Sequence, residues 1–434
     1  MNKWIQMYKD KKRTIEEALG LIKSEMKIVT SMVSMEAKGL LENLHKIDES
    51  VKDVHVATCL NMRDYEFFQK KEYEGRFLNE SWFYSPPVRK AASEKLRTVT
   101  FIPNNLHAAA TDRLATNSPD IFWGVASPMD ENGYMTLSLS NVYERDMVEG
   151  ADMVILEVNE EAPKTHGDTQ VHISEIDYII ENNFHIPELP VVEPSETEKQ
   201  IAGHISEIIE DGSTIQIGIG GIPNAVAKFL ESKKDLGIHT EMFTESMIDL
   251  FEMGVITNRK KTLWPGKFIC AFALGTEKMY RFIEDNPGVF LLRGRYVNDP
   301  YIISKNEKMV SINTAISVDL TGQVCSEAIG TKHYSGTGGQ LDTHRGANMS
   351  KDGKGIIALR SSAKKGTIST IVPKLPEGSP VTVPRQDIDY IVTEFGAAHL
   401  RGLNVFQRVK ALISIAHPDF REQLKKQAQE IGYL

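Results

Sequence analysis

The chain has 434 residues, 41% hydrophobic and 25% charged, with a formal charge of −9. That length exceeds one small core and fits two domains, and the negative charge excludes a general attraction for nucleic acid. Cys59, Cys270 and Cys325 are far apart, without CxxC spacing, as expected of thiols in a reducing compartment. The N-terminus lacks an apolar h-region and no stretch approaches a membrane span, so a cytoplasmic protein is expected.

Thr14-Ile-Glu-Glu17 is a capping box and predicts a helix running to about Met26, followed by a β-type run. Helix-like and strand-like segments then alternate: EAKGLLENLHKI, VHVATCL, VRKAASEKL and VTFIP. This pattern predicts two similar open α/β domains with mostly parallel sheets flanked by helices. Turn chemistry in Ser127–Ser138 (SPMDENGYMTLS) predicts a hairpin, and the apolar run ADMVILEVN a central parallel strand. His185–Gln200, with three prolines, reads as a linker, which places an N-terminal domain at 1–190 and a C-terminal domain at 191–434. Ser195–Glu198 caps a helix with Ile201, Ile205, Ile208 and Ile209 on one face. A short echo supports duplication: ISEIDYIIENN (Ile173–Asn183) and RQDIDYIVTEF (Arg385–Phe395) each follow a D-x-x-G turn, Asp130–Gly133 or Asp319–Gly322. The C-terminal HPDFREQLKKQAQEIGYL is an amphipathic helix.

The stretch Thr214–Phe243 organises the rest. It reads as a β-α-β unit: strand Thr214–Ile217, a turn of Gly218, Ile219, Gly220, Gly221 and Ile222, and a helix with Pro223 in its first turn. The helical stripe is Ala225, Val226, Phe229 and Leu230, and Gly237 is expected to stop the helix. A second strand, Ile238–Phe243, carries Glu241 in its middle. Right-handed crossover brings both strand ends to the glycine turn, the ligand-binding edge of an open sheet. Main-chain N–H groups there suit a phosphate or an oxyanion, although many such turns serve packing alone. For an arbitrary glutamate on a strand a surface position is the better bet. Glu241 stands out because its run otherwise reads as buried and follows the glycine turn directly. A carboxylate beside fixed N–H donors is a competent nucleophile toward a carbonyl, and at an ordinary pKa it is ionised at neutral pH.

A second glycine loop, Ser335–Asp342 (SGTGGQLD), offers N–H groups and the Gln340 side chain, and Ala363–Gly366 places paired lysines downstream. Their bland readings are a plain turn and a solvated loop. HExxH, clustered Cys/His and GxxxxGK[ST] patterns are absent from the sequence, so no metal site is expected. A dinucleotide site remains an alternative, with Glu241 as the ribose-binding acid, although Pro223 occupies the third glycine position of G-x-G-x-x-G.

Taken in order, GIGGIPNAV, GIHTEMF, SGTGGQLD, SSAKKGTIS, VTEFGAAHLRG and HPDFREQL, with the SPMDENGYMTLS hairpin, resemble the acetyl-CoA hydrolase/transferase branch of family I CoA-transferases. The family is typified by 4-hydroxybutyrate and butyrate–acetate CoA-transferases, and the match covers nearly the whole chain. The resemblance implies two α/β domains with the active site in the cleft between them. It implies that Glu241 becomes a glutamyl-CoA thioester and that Gly218–Ile222, Gly339 and Lys364 contact CoA, a substrate rather than a resident cofactor. Gly338, Gly339 and Gln340 are the candidate oxyanion donors. The implied partners are acyl-CoA and a short-chain carboxylate, in a homodimer or homotetramer, with acyl-CoA hydrolysis as the alternative activity and a catalytically silent acyl-CoA-binding protein as a further alternative. Four places depart from the family pattern: Asn105-Leu106-His107, Ser140, Glu245-Ser246 and Thr343. They are expected mostly where the acyl or acceptor groups would sit, leaving the chemistry intact and the substrate open.

Overall fold

The computed structural model describes residues 3–218 and 220–434. The chain forms two compact units, Met1–Leu189 with Ile269–Val297, and Pro190–Phe268 with Asn298–Leu434.

In the first unit, α1 (Lys3–Lys11) precedes α2 (Ile15–Leu19). The Thr14–Glu17 capping box forms, but α2 stops at Leu19 and Gly20, short of the expected Met26. Glu25, at φ 68°, is in a left-handed conformation that cannot continue a helix. Strands β1 (Lys27–Thr30), β2 (Val54–Thr58), β3 (Phe77–Ser81), β4 (Val99–Phe101), β5 (Ile121–Ala126), β6 (Met153–Val158) and β7 (Tyr178–Glu181) form one sheet in the order β7-β6-β5-β1-β2-β3-β4. Every pairing in it is parallel. Residues of β5 are buried throughout and those of β6 nearly so, because helices cover both faces of a parallel sheet. After β1, helix α3 (Lys38–Asn43) begins on the buried carboxylate of Glu157, which accepts the Gly39 and Leu40 N–H groups at 3.0 and 2.8 Å. Helix α4 (Pro86–Ser93) lies between β3 and β4, and α5 (Glu144–Gly150) between β5 and β6.

The Asp130–Gly133 turn is present, with the Asp130 carboxylate accepting the Asn132 and Tyr134 N–H groups. Its flanks bond across the turn as a hairpin does: the Asp130 N–H donates to Tyr134 O at 2.8 Å and the Ser127 N–H to Thr136 O at 2.9 Å. On its other edge Tyr134–Thr136 pairs with Gln170–His172, a pairing not expected from the sequence.

In the second unit, α6 (Glu196–Ile208) starts on the Ser195–Glu198 capping box. Strands β8 (Thr214–Ile217), β9 (Gly237–Ile238), β10 (Met309–Thr314), β11 (Lys354–Ala358), β12 (Tyr390–Thr393) and β13 (Gly396–His399) assemble as β9-β8-β10-β11-β12-β13. Only the β12–β13 pairing is antiparallel among the described residues of this sheet. The helices named here are α7 (Gly221–Phe229), α8 (Gln340–Met349), α9 (Val405–Ile415) and α10 (Pro418–Ile431). Among the described residues no helix is long and apolar enough to cross a membrane.

The two sheets repeat one plan. The order β2-β1-β5-β6-β7 of the first is matched by β9-β8-β10-β11-β12 of the second. The echoing sequences supply β7 and β12, which occupy corresponding places, and each D-x-x-G turn follows the corresponding strand, β5 or β10.

Residues 269–297 belong to the first unit, and Arg293 holds them there. Its guanidinium donates to Asp146 at 2.9 Å, to both oxygens of Glu149 at 2.7 Å, and to Asp168. The Arg293–Asp146 pair is largely buried, and removing its cation leaves that carboxylate with Arg295 alone. Arg293→Met is therefore expected to lower the stability of the first unit by about 3 kcal/mol in urea unfolding, while Arg295→Met, at a half-exposed rim position, costs less than about 1 kcal/mol.

Candidate active site

Strand β8 is buried throughout and delivers the glycine turn at its carboxyl end. The Gly218 N–H donates to Ile312 O at 3.1 Å, continuing the pairing with β10 by one residue. Ile219 lies outside the described residues. Gly220 is the N-cap of α7 at φ 115°, a conformation open to glycine, and Pro223 falls in the first turn, where it forfeits no helical hydrogen bond. Ala225, Val226 and Leu230 face the interior as expected, but Phe229 is 42% exposed and leaves the stripe. A Cβ on Gly221 would lie 2.1 Å from Glu198 Oε1. Glu198 is itself held by the Ser195 N–H and hydroxyl and by Arg360 at 2.7 Å. A carboxylate of the protein thus already lies against the positive end of α7. Ile222 is 6% exposed, so only its main chain is available to a ligand.

The second strand of the unit is broken, not continuous over Ile238–Phe243. β9 is two residues long; the Ile238 N–H donates to Asn258 Oδ1 at 2.8 Å, and its carbonyl accepts from Lys261 Nζ at 2.6 Å. These two groups face away from β8, on the outer edge of the sheet, while the His239 N–H still donates to Ile215 O of β8 at 3.2 Å; beyond it the backbone bends. Thr240 Oγ1 donates to Met242 O at 3.1 Å within that bend, which carries Glu241, and extended structure resumes at Met242–Phe243. His239, Thr240, Met242 and Phe243 are all buried, so the run around Glu241 is buried as expected. Gly237 opens β9 and does not cap a helix. It is small because the Lys261 stem crosses it, 2.3 Å from where a Cβ would be.

The Glu241 carboxylate is gripped from two sides. Asn298 Nδ2 donates to Oε2 at 3.0 Å, and the Gly339 N–H donates to the same carboxylate. A Cβ on Gly339 would lie 2.0 Å from both Glu241 Oε2 and Asn298 Nδ2, so only glycine lets the main chain come this close. Gly338 turns the chain into this contact at φ 53°, and Gly339 is the N-cap of α8. Burial raises the Glu241 pKa, the Asn298 hydrogen bond opposes it, the Asp342 charge raises it further and the Gly339 N–H lowers it, leaving it at about 7. Some of the Glu241 surface remains open to solvent. The expectation of an ordinary carboxylate pKa is therefore corrected: at neutral pH the group is poised near half-ionisation.

The other candidates are placed differently. Gln340 is 7% exposed and its Nε2 donates to Thr314 O at 3.0 Å, so its amide anchors the turn to the end of β10. Lys364 sits exposed, at φ 48°, in the turn of a small hairpin formed by Ser362–Ala363 and Ile368–Ser369. Of the candidates, the structure brings Glu241 and Gly339 into contact, whereas the Gly218–Ile222 segment and Lys364 make no direct contact with the Glu241 carboxylate among the described residues. Two departures from the family pattern prove to be interior positions. Ser140 is 1% exposed and donates to Glu144 at 2.6 Å, and Thr343 is 2% exposed and hydrogen-bonded beneath α8. Sequence reasoning missed Asn298 and the influence of Asp342. Asn298 precedes Asp299-Pro300, an ordinary helix start, and nothing local ties it to a glutamate 57 residues away.

Two family models match. Residues 2–193 fit the acetyl-CoA hydrolase/transferase N-terminal domain, and residues 275–428 fit the acetyl-CoA hydrolase/transferase C-terminal domain. The chain belongs to the acetyl-CoA hydrolase/transferase family of CoA-transferases. It is similar to the 4-hydroxybutyrate coenzyme A transferase of Clostridium kluyveri, 41% identical over 97% of this chain and 98% of that protein. It is also similar to the succinyl-CoA:cyclohexane-1-carboxylate CoA transferase of Geobacter metallireducens, 46% identical over 81% of this chain and 80% of that one. Among solved structures, RipA from Yersinia pestis superposes with a TM-score of 0.93 at 36% identity, covering 100% of both chains. This membership displaces the dinucleotide reading of the glycine turn.

A raised carboxylate pKa carries a cost in stability. The folded pKa of about 7 lies above the unfolded value, so the folded state binds the proton more tightly. The associated stability is fully present below the unfolded pKa and lost as pH rises through 7. Glu241→Gln removes that loss, on the order of 3 kcal/mol. The variant is expected to melt a few degrees above wild type at pH 8 and at nearly the same temperature at pH 5, read by calorimetry.

Proposed function

We propose that the protein transfers CoA from a short-chain acyl-CoA to a carboxylate acceptor by a ping-pong route through a glutamyl-CoA thioester on Glu241. The observation that carries this reading is the direct grip of Gly339 and Asn298 on the Glu241 carboxylate. Glu241 attacks the thioester carbonyl of the acyl-CoA, and the C–S bond breaks to give an acyl-glutamyl anhydride and CoA thiolate. The thiolate then attacks the glutamyl carbonyl, expels the first carboxylate and leaves glutamyl-CoA. A second carboxylate reverses both steps and departs as the new acyl-CoA. One thioester replaces another, so the exchange is nearly thermoneutral and catalysis must lie in the barriers.

Burial and the Asp342 charge leave the Glu241 carboxylate more basic and less solvated than a surface glutamate, a gain in nucleophilicity. Acylation removes its negative charge, which relieves both the burial cost and the repulsion from Asp342. The Gly338–Gly339 main chain supplies donors for the tetrahedral oxyanions. Gln340 contributes by fixing that turn through Thr314. In this reading the Gly218–Ile222 main chain and Gly339 contact CoA, and Lys364 meets one of its phosphates. The acyl pair falls in the class named by the relatives, a small hydroxy or cyclic carboxylate, or acetate with butyrate. The enzyme works as a cytoplasmic homodimer or homotetramer, with a first domain whose opening segment ends near residue 190 and to which residues 269–297 return.

Incubation with acetyl-CoA alone, followed by peptide mass mapping, tests the intermediate. A CoA adduct is expected on the Glu241 peptide of the wild type and not in Glu241→Ala; an unmodified wild-type peptide would rule this route out. Only the ionised carboxylate attacks, so kcat/KM for acyl-CoA is expected to rise with pH and level off above an apparent pKa near 7. Asp342→Asn removes a neighbouring negative charge and is expected to move that inflection to lower pH. Asn298→Ala removes a donor to the charged form and is expected to move it higher, with a roughly ten-fold loss of kcat.

A further inference from the structure

At the carboxyl end of β10 the second unit contains a compact polar network. Asn313 Nδ2 lies 3.2 Å from Gln216 Oε1, 3.0 Å from Ser311 Oγ and 3.0 Å from Thr343 Oγ1. Ser311 Oγ lies within 2.8 Å of Gln216 Oε1 and 2.9 Å of Thr343 Oγ1. The Thr343 hydroxyl is left to donate to Gln340 O at 3.4 Å. Gln216, Ser311 and Thr343 are 3%, 0% and 2% exposed, whereas Asn313 is half-buried.

The network's ends matter more than its middle. Gln216 is in β8, two residues before Gly218, and Asn313 Oδ1 lies 3.8 Å from where a Gly218 Cβ would be. Thr343 is in the first turn of α8, where its N–H donates to Gly339 O at 2.9 Å. Gln340 binds the neighbouring Thr314 carbonyl. β8 and β10 are adjacent strands from which the chain departs in opposite directions, the place where open α/β sheets take their ligands.

We propose that Thr343 and Asn313 are positioning residues that lock the Gly338–Gly339 turn to the strand end bearing Gly218, so that both glycine segments and Glu241 form one rigid frame. Neither side chain touches the reacting carboxylate; they act through Gly339 and Gln340. The proposal rests on the CoA-transfer reading. A turn free to drift by an ångström would loosen the Gly339 N–H from Glu241, a displacement of the size that costs up to about 10²-fold in rate.

Full-length Thr343→Val, Thr343→Ser and Asn313→Ala are assayed for acyl-CoA:carboxylate exchange across a pH series, with wild type and Glu241→Ala alongside. Thr343→Val keeps the shape and removes the hydroxyl. It is expected to lower kcat about ten-fold, to leave KM for acyl-CoA within about two-fold, and to shift the kcat/KM inflection to higher pH. Thr343→Ser restores kcat to within about two-fold of wild type, and Asn313→Ala reproduces the valine phenotype. Unchanged kcat and pH profile in Thr343→Val, equal losses in the valine and serine variants, or a loss confined to KM overturns the proposal. If Thr343→Val melts far below wild type, Asn313→Ala decides by the same criteria. Exchange absent from wild type, or undiminished in Glu241→Ala, sinks the CoA-transfer reading itself. Exchange present in wild type but insensitive to the hydroxyl sinks the network alone.

Discussion

The second unit depends on a main chain being allowed to touch a carboxylate. Gly339 brings its N–H against Glu241 with no room for a β-carbon, and Asn298 closes the other side. That contact requires a left-handed turn at Gly338, the N-terminus of α8 behind it, and a strand that ends early enough to present Glu241 from a bend. Each requirement is met by residues that would be unremarkable elsewhere. Lys261 and Asn258 hold the outer edge of β9, Gln340 ties the turn to β10, and Gly237 makes room for the lysine stem. The nucleophile is therefore a property of the packing around it as much as of the glutamate itself.

What the sequence made legible was whatever has a local cause. The capping boxes at Thr14 and Ser195, the β8–turn–α7 passage and the alternation of strands and helices follow from patterns a few residues wide. Glu241 was legible because it interrupts an apolar run just beyond a glycine turn. Its bend was not, since the side chains that hold the strand before it come from 20 and 23 residues away. The pairing of Tyr134–Thr136 with Gln170–His172 was hidden for the same reason. Asn298 was invisible to any local pattern, and the Glu241 pKa could not be read before burial and the Asp342 charge were placed around it.

The shared strand order shows how one plan carries two different edges. In the second unit α8 begins with a glycine that donates to a glutamate. In the first, the corresponding helix α5 begins with Glu144, a buried carboxylate that accepts from the Met32 N–H and from Ser140. The same position in the fold thus serves as a donor in one unit and an acceptor in the other. The two units share a strand order and differ in the residue at this helix start.

The discontinuity of the first unit has a consequence for biosynthesis. A ribosome that has emitted the seventh strand of its sheet has still to make Arg293, the cation that Asp146, Glu149 and Asp168 await. Until roughly a hundred further residues emerge, Asp146 lacks both of its arginine partners, and the nascent sheet must persist without its ionic clasp. The order of synthesis therefore obliges the opening half of the polypeptide to complete itself only after much of the following half is exposed, in contrast to chains whose domains mature one after another.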